Sequence, residues 1–372
     1  MMINVLSIVS YPVLPALVGG QKGIALFYKY FSKYVNLVCV ATKKNDPLKA
    51  EGYTVLNILS NSPFRYINIF YFFTLKKIIR ERKISHLLLE HPYYGWLGVL
   101  LKKFCGIKLI VHSHNIEALR WKALGKWWWK ILWQYEGWAY RQADVNFFKQ
   151  DDDRTYAIRR FKLHPEKCVE ITYGIEQSFP PSPEEKQAAR KYLLQEHSIP
   201  ANHHILLFNG AFNYLPNLNG LKYIIHQIHP ALQQINDFQY TILLCGKDIP
   251  AQISQNKIPG VVFAGFVPDI AVYFKGADIF LNPITEGGGI KTKLVEALGY
   301  DMNAVSTQNG AIGIDPALCN NKLTVVTDSN WHSFADFIYR ASRNKTHIPP
   351  AYFEHFYWGD IARLAALFID KK

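Results

Sequence analysis

Residues 283–300 read PITEGGGIKTKLVEALGY. A strand ends at Pro283, three glycines follow (Gly287, Gly288 and Gly289), and a helix opens near Lys291. Glycine allows close approach to the backbone, and the free amides of a helix N-terminus attract phosphate. Lys291 and Lys293 add positive charge at that place. Cations in a first helical turn oppose the helix dipole, so they need another reason to be there, and a bound diphosphate would supply one. An ordinary surface loop with solvated lysines is the competing reading. Glu296, further into the helix, has the reach to accept hydrogen bonds from ribose hydroxyls, or is simply an exposed helical glutamate.

Strand, loop and helix recur outward from this point. HILLFNG (204–210), YTILLCG (240–246), VVFAGF (261–266) and DIFLNP (278–283) read as strands ending in Gly or Pro. LNGLKYIIHQIHPALQQI (218–235), KTKLVEALGY (291–300) and a segment near 330–343 read as helices. In the first half VLSIVS (5–10), VNLVCVAT (35–42), HLLLE (86–90) and KLIVHSH (108–114) are strands. GGQKGIALFYKYFSKY (19–34) is a loop opening a helix, and INIFYFFTLKKIIRERK (67–83) is a helix whose basic end suits the dipole. This alternation predicts α/β architecture with parallel sheets covered on both faces. Two successive units predict two Rossmann-like domains. After the strand-like CVEITYG, the stretch YGIEQSFPPSPEEK has three prolines and no periodicity, which puts the boundary near residues 175–185.

The 372 residues suit two domains, 49% hydrophobic content fills two cores, and 19% charge is too little for a disordered chain. Cys39, Cys105, Cys168, Cys245 and Cys319 are widely spaced and odd in number. They fit neither a zinc site nor a disulfide framework and suit a reducing, cytoplasmic setting. MMINVLSIVSYPVLP lacks a basic leader and a small-residue cleavage site, so it reads as a first buried strand rather than a signal peptide. Charged residues or glycine break every apolar run before about 20 residues, the length of a membrane span. The net charge of +13 lies wholly in the first half: residues 1–180 hold 26 Lys and Arg against 13 Asp and Glu, and the rest hold 16 against 16. A basic half attracts nucleic acid, anionic lipid or a phosphorylated substrate. No nucleic-acid-binding motif accompanies the charge.

Three further clusters carry chemistry or invite it. VHSHNIEALRWK (111–122) presents His112, Ser113, His114, Asn115 and Glu117 where a strand ends, the edge at which open α/β sheets bind ligands. A structural histidine is the plainer reading of that edge. GGQKG (19–23) offers Gly19, Gly20 and Lys22 to a phosphate or sugar, or is a tight turn needing positive φ. QDDDRTY (150–156) looks metal-binding, but acidic residues are expected before a helix. The segment 119–142 holds six tryptophans (121, 127, 128, 129, 133 and 138) with Arg120, Lys122, Lys126, Lys130 and Arg141 between them. It reads either as a docking surface for anionic membrane or as a core helix with inward tryptophans.

The donor-loop stretch resembles the retaining, family-4-like glycosyltransferases (glycosyl transferases group 1) of the GT-B fold, in their GGGIKTK-loop subset. GFVPDIAVYFKGADIFLNP (265–283), ITYGIEQSF (171–179), NGAFNYLPNLNGLKYI (209–224) and FYWGDIARLAALF (356–368) are similar to family segments in the same order. The resemblance implies two facing Rossmann-like domains, residues 1–178 for the acceptor and 179–355 for the nucleotide-sugar, with residues 356–372 crossing back to the first. It implies hexosyl-type transfer to an acceptor hydroxyl in polysaccharide or glycolipid assembly. UDP- or GDP-sugar would be the donor, with no cofactor and no metal. The tryptophan-rich segment and the basic first half, read as a docking surface, would place the enzyme peripherally at the inner membrane face. Gly287, Gly288, Gly289, Ile290, Lys291, Lys293 and Glu296 would then bind donor. Glu296 matches the second of two family glutamates. The first falls in register on Gly288, and Glu286, two residues earlier, is its available substitute. The basic pair that follows the first strand of the donor domain in many members is absent from NGAFNYLPN, and Lys291 with Lys293 would replace it. His114 matches a family histidine beside the transferred sugar. Asn115, Glu117, Gly19, Gly20 and Lys22 would line the cleft. A nucleotide-sugar epimerase or hydrolase, or a degenerate membrane-associated assembly partner, are the alternatives.

Overall fold

Short runs of branched apolar residues form two wholly parallel sheets in the computed structural model, which describes residues 2–16 and 19–371. One unit comprises Met1–Glu176 with Phe356–Lys372, the other Gln177–His355. The first sheet runs in the order β3 (Thr54–Leu59), β2 (Val35–Thr42), β1 (Ile3–Ile8), β4 (His86–Glu90), β5 (Lys108–Ser113), β6 (Val145–Phe148) and β7 (Cys168–Glu170). The second runs β10 (Val261–Gly265), β9 (Tyr240–Lys247), β8 (His204–Ala211), β11 (Ile279–Asn282), β12 (Asn303–Thr307) and β13 (Leu323–Val326). Central strands β4 and β11 are buried along their whole length, as helices on both faces of a parallel sheet require.

Each strand order reverses once, between β1 and β4 in the first sheet and between β8 and β11 in the second. Loops leaving two such neighbours diverge, and the crevice between them is where open α/β sheets take ligands. The Gly-rich loop of the second half leaves the sheet there, after β11, whereas the His112–Glu117 segment leaves β5, one strand beyond the switch point of its sheet.

Three local expectations are corrected. GGQKG is not a loop: the helix Gly19–Phe31 already begins at Gly19, and Gly20 does not take positive φ. The single helix expected over 218–235 is three pieces, Leu215–Tyr223, a π turn Ile224–Ile228 and His229–Leu232. Pro230 has no N–H for the carbonyl of His226, which loosens the ladder at that point. The strands β3, β6, β12 and β13 were not anticipated, because polar residues interrupt them. In β12, for example, the Asn303 side chain is buried only because it donates to Ala341 O and Asn344 O.

The last helix, Trp358–Asp370, packs on Gly19–Phe31 within the first unit. Trp358 is fully buried against Phe27 and Tyr173, and a Cβ on Gly174 would lie 2.5 Å from its ring. Among the described residues no helix is long and apolar enough to cross a membrane.

Candidate functional site

In the second unit the loop after β11 and the loop after β8 meet through lysine. Gly287 and Gly289 take φ of 88° and 73°, which other residues rarely adopt, and this lets the loop turn twice before the helix Thr292–Gly299. Lys291 Nζ donates to Gly287 O (3.0 Å) and Gly289 O (2.8 Å), holding the loop closed. Lys293 Nζ crosses to the end of β8, donating to Asn209 O at 2.6 Å and Asn217 Oδ1 at 3.2 Å. A Cβ on Gly210 would stand 3.0 Å from that ammonium, so the glycine makes its room. Burial pushes both lysines down to about 8, against weaker pulls from Asp328 on Lys291 and from Glu296 on Lys293. Both lysines are half-buried by surface area. The exposed Glu286 accepts from Asn219 Nδ2 at 3.1 Å, and Ile290 is half-buried.

Beyond the ends of β9 and β10 lies an open pocket of about 520 Å³, lined by Gly246, Lys247, Asp248, Ile249, Phe263 and Phe266 among others. Lys247 Nζ stands 4.4 Å from the centre of the Phe266 ring. Gly246 pairs with Gly210 across β8 and β9 so closely that a Cβ on it would fall 1.7 Å from Gly210 O. Sequence reading missed this pocket, although the run of strand ends in Gly signalled it.

In the first unit the ends of β4 and β5 build a polar cluster around a residue the sequence reading passed over. Glu90, fully buried at the end of β4, receives His114 Nε2 at 2.5 Å and has His112 Nδ1 at 3.1 Å. Burial works to raise its carboxyl, but the two histidines outweigh that and hold it well below the usual carboxylate range. His114 is pushed down to about 3 by burial and by neighbouring His91, against the pull of Glu90, so its ring is neutral at ordinary pH. Its ring stacks on His91 at 4.4 Å. His91 takes φ of 68°, a strained backbone for a branched ring residue, and Tyr11 OH lies 3.2 Å from its Nε2. Its Nδ1 approaches Glu117 Oε1 to 3.2 Å without hydrogen-bond alignment. Tyr93 OH donates to Glu117 Oε2 at 2.6 Å. The buried Glu136 caps the next helix, Glu117–Ala123, by accepting from the amides of Glu117 and Ala118. Burial pushes Glu136 up to about 7.

The expected residues therefore fall into three groups. Glu286, Gly287, Gly288, Gly289, Ile290, Lys291, Lys293 and Glu296 share one loop and helix. His114, Asn115 and Glu117 share the β5 edge, with Asn115 O accepting from Ser113 Oγ at 2.8 Å. Gly19, Gly20 and Lys22 form the first helical turn after β1, the strand next to β4. Among the described residues one cluster has metal-ligating spacing, Glu90 with His112 and His114, whose ligand atoms lie within 4.8 Å of one another. Its carboxylate already serves both imidazoles. Asp151, Asp152 and Asp153 are the first turn of the helix Asp151–Phe161, and Asp151 pairs with Arg154. Of the six tryptophans only Trp127 is exposed, at 82%; Trp133, for example, packs on Phe161 and donates to Tyr156 OH.

Two family models match the chain: Glycosyltransferase Family 4 over residues 28–179 and Glycosyl transferases group 1 over residues 203–344. No curated protein sequence matches it. Similar solved structures include sucrose-phosphate synthase from Thermosynechococcus elongatus, 16% identical with a TM-score of 0.72, matched over 99% of this chain and 98% of that one. Anabaena HepE in complex with UDP is 13% identical with a TM-score of 0.74, both chains matched in full. WaaG, a glycosyltransferase involved in lipopolysaccharide biosynthesis, is 14% identical with a TM-score of 0.60, over 97% and 95% of the two chains.

Proposed function

We propose, for a chain that belongs to the GT-B glycosyltransferases of the group 1 and family 4 kind, that it moves a hexosyl group from a UDP- or GDP-sugar to an acceptor hydroxyl with retention at the anomeric carbon. The observation that carries the donor assignment is the Lys293 ammonium, 2.6 Å from Asn209 O at the β8–β11 switch point. It supplies positive charge where the loop after β8 has none of its own. Lys293, helped by Lys291 and the amides of Gly287–Ile290, would hold the diphosphate and stabilise it as it departs. Glu296 would take the ribose hydroxyls. The pocket by Lys247 and Phe266 would take the base, with the Phe266 ring as a stacking face. The UDP bound by HepE makes a UDP-sugar the first choice.

His114 would hydrogen-bond the transferred sugar. Its Nε2–H is committed to Glu90, so Nδ1 is the atom left to accept from a hydroxyl. Glu286 would stand in for the missing first glutamate. Gly19, Gly20 and Lys22, with Asn115 and Glu117, belong to the acceptor side in this reading. The setting would be polysaccharide or glycolipid assembly at the cytoplasmic membrane face. Catalysis would rest on positioning and charge rather than on a metal.

A thermal-shift screen of UDP-, GDP-, ADP- and CMP-sugars tests the donor assignment. One nucleotide class is expected to stabilise the protein, and Glu296→Ala to abolish that shift. No shift with any of them would sink the reading in favour of an assembly partner. Donor turnover without acceptor would instead indicate a hydrolase or epimerase. Product NMR settles retention.

A further inference from the structure

We propose that the first unit docks on an anionic phospholipid bilayer through a strip formed by residues 63–73 and Phe104, separate from the tryptophan-rich segment. The purpose of the docking rests on the transfer reading above; its location rests on surface chemistry alone. Phe64, Ile67, Ile69, Phe70, Phe73 and Phe104 are all exposed, Phe64 by 75% and Ile67 and Phe70 by 73% each. Single exposed apolar residues are ordinary, but a contiguous group marks an interaction surface. Contiguity is visible at Phe72, whose ring meets Phe73 at 5.4 Å and Phe104 at 5.7 Å. At the other end Trp96 Nε1 donates to Tyr66 O at 2.8 Å. The strip thus lies along the helix Gly95–Cys105 from its first turn to its last.

These side chains are held outward by a fixed backbone. Arg65 donates to Ser10 O, Asn61 O and Ser62 O. The Ser62 hydroxyl caps the short turn Pro63–Ile67 by accepting from Phe64 N, and Asn68 Oδ1 accepts from Phe70 N. Ser60 N donates to Tyr71 OH at 2.7 Å. With its local polar groups paired in this way, the segment has little to gain by folding the aromatics inward.

Charge selects lipid over a protein partner. Residues 60–83 carry Arg65, Lys76, Lys77, Arg80, Arg82 and Lys83 against the single acid Glu81. Only Lys77 pairs with that acid, at 3.8 Å. Lys76 lies 5.8 Å from the Phe72 ring and Lys103 lies 6.0 Å from the Phe104 ring. Aromatics flanked by unpaired cations match the depth profile of an anionic leaflet, with rings among the acyl carbons and ammonium groups at the phosphates. The strip also touches the acceptor-side cluster. Tyr66 meets Tyr93 at 5.7 Å, and Tyr93 donates to Glu117. An acceptor carried on a lipid would therefore reach the histidines along this edge.

Flotation of the full chain tests the strip, using vesicles of phosphatidylcholine alone and with about one-third phosphatidylglycerol. The wild type is expected to float with the anionic vesicles only. Phe70→Ser with Phe73→Ser, and separately Lys76→Glu with Arg80→Glu, should each cut the floated fraction at least about tenfold. Trp127→Ser should leave it within about twofold. UDP calorimetry without lipid reports folding of each variant and tests the transfer reading independently. Failure of the wild type to float, or flotation unchanged in the Phe70/Phe73 variant, overturns docking. A dimer that this variant dissociates, with no flotation, would assign the strip to a second copy and also overturn it.

Discussion

Replacing Lys293 by methionine keeps most of the side-chain volume and removes one charge. An ammonium brought from 10.5 to about 8 by burial has lost on the order of 3 kcal/mol of its preference for the charged form, somewhat less where solvent reaches it. Removing it leaves Asn209 O and Asn217 Oδ1 without their donor, at about 1–3 kcal/mol. The two nearly cancel, so the free protein should melt within a few degrees of wild type. Donor binding has no such compensation. Losing one charge-assisted hydrogen bond to a diphosphate costs about 1.5–3 kcal/mol, or about 10- to 150-fold in Kd for UDP by calorimetry. The pH responses have opposite signs. Between about 8 and 10.5 the unfolded chain holds the lysine proton and the native state does not, so the stability of free protein rises with pH through that window. Over the same window the native cation is lost, so wild-type kcat/KM should fall above about pH 8. Lys293→Met should weaken both slopes, leaving the part due to Lys291. UDP affinity within threefold of wild type, in a variant of unchanged melting temperature, would refute the assignment of Lys293 to the diphosphate.

Glu90→Gln should lower kcat about 10- to 100-fold through loss of the anchored His114 ring, with UDP affinity unchanged, as read by steady-state kinetics and calorimetry. Because His114 already lies at about 3, the wild type should show no acid limb from this group between about pH 5 and 7. Gly246→Ala drives a Cβ into Gly210 O, and denaturant melts should show a loss of about 3 kcal/mol or more in the second unit. Trp358→Ala empties a fully buried site and should cost about 3–5 kcal/mol in the first unit by the same measurement.

Much of the architecture could be read from sequence because parallel strands are short apolar runs punctuated by Gly or Pro. The runs 204–210, 240–246 and 278–283 announce their own ends, and the Gly-rich turn before Thr292 announces a helix. What could not be read was long-range. Glu90 closes the run HLLLE and looks like the end of a strand; its meaning comes from His112 and His114, brought beside it by the β4–β5 register. Lys293 sits in a first turn that disfavours cations, a signal that something was unusual there. The carbonyl it reaches lies 84 residues earlier, beyond any local pattern. The tryptophans at 119–142 drew attention by composition, whereas exposure is decided by packing, and packing leaves the phenylalanines near residue 70 outside instead.

The helix Trp358–Asp370 has a consequence for how the protein comes into being. A chain leaving the ribosome presents residues 1–176 before residues 177–355, yet the face of Gly19–Phe31 that receives Trp358 must wait for the helix Trp358–Asp370 to emerge. The second unit, continuous in sequence, can be finished earlier, which inverts the usual amino-to-carboxyl order of domain completion. Until then Phe27 and Tyr173 are uncovered, and the interval invites chaperone engagement. A stop codon near residue 355 would leave both sheets encoded, yet the truncated protein would behave as one with a wounded amino-terminal half.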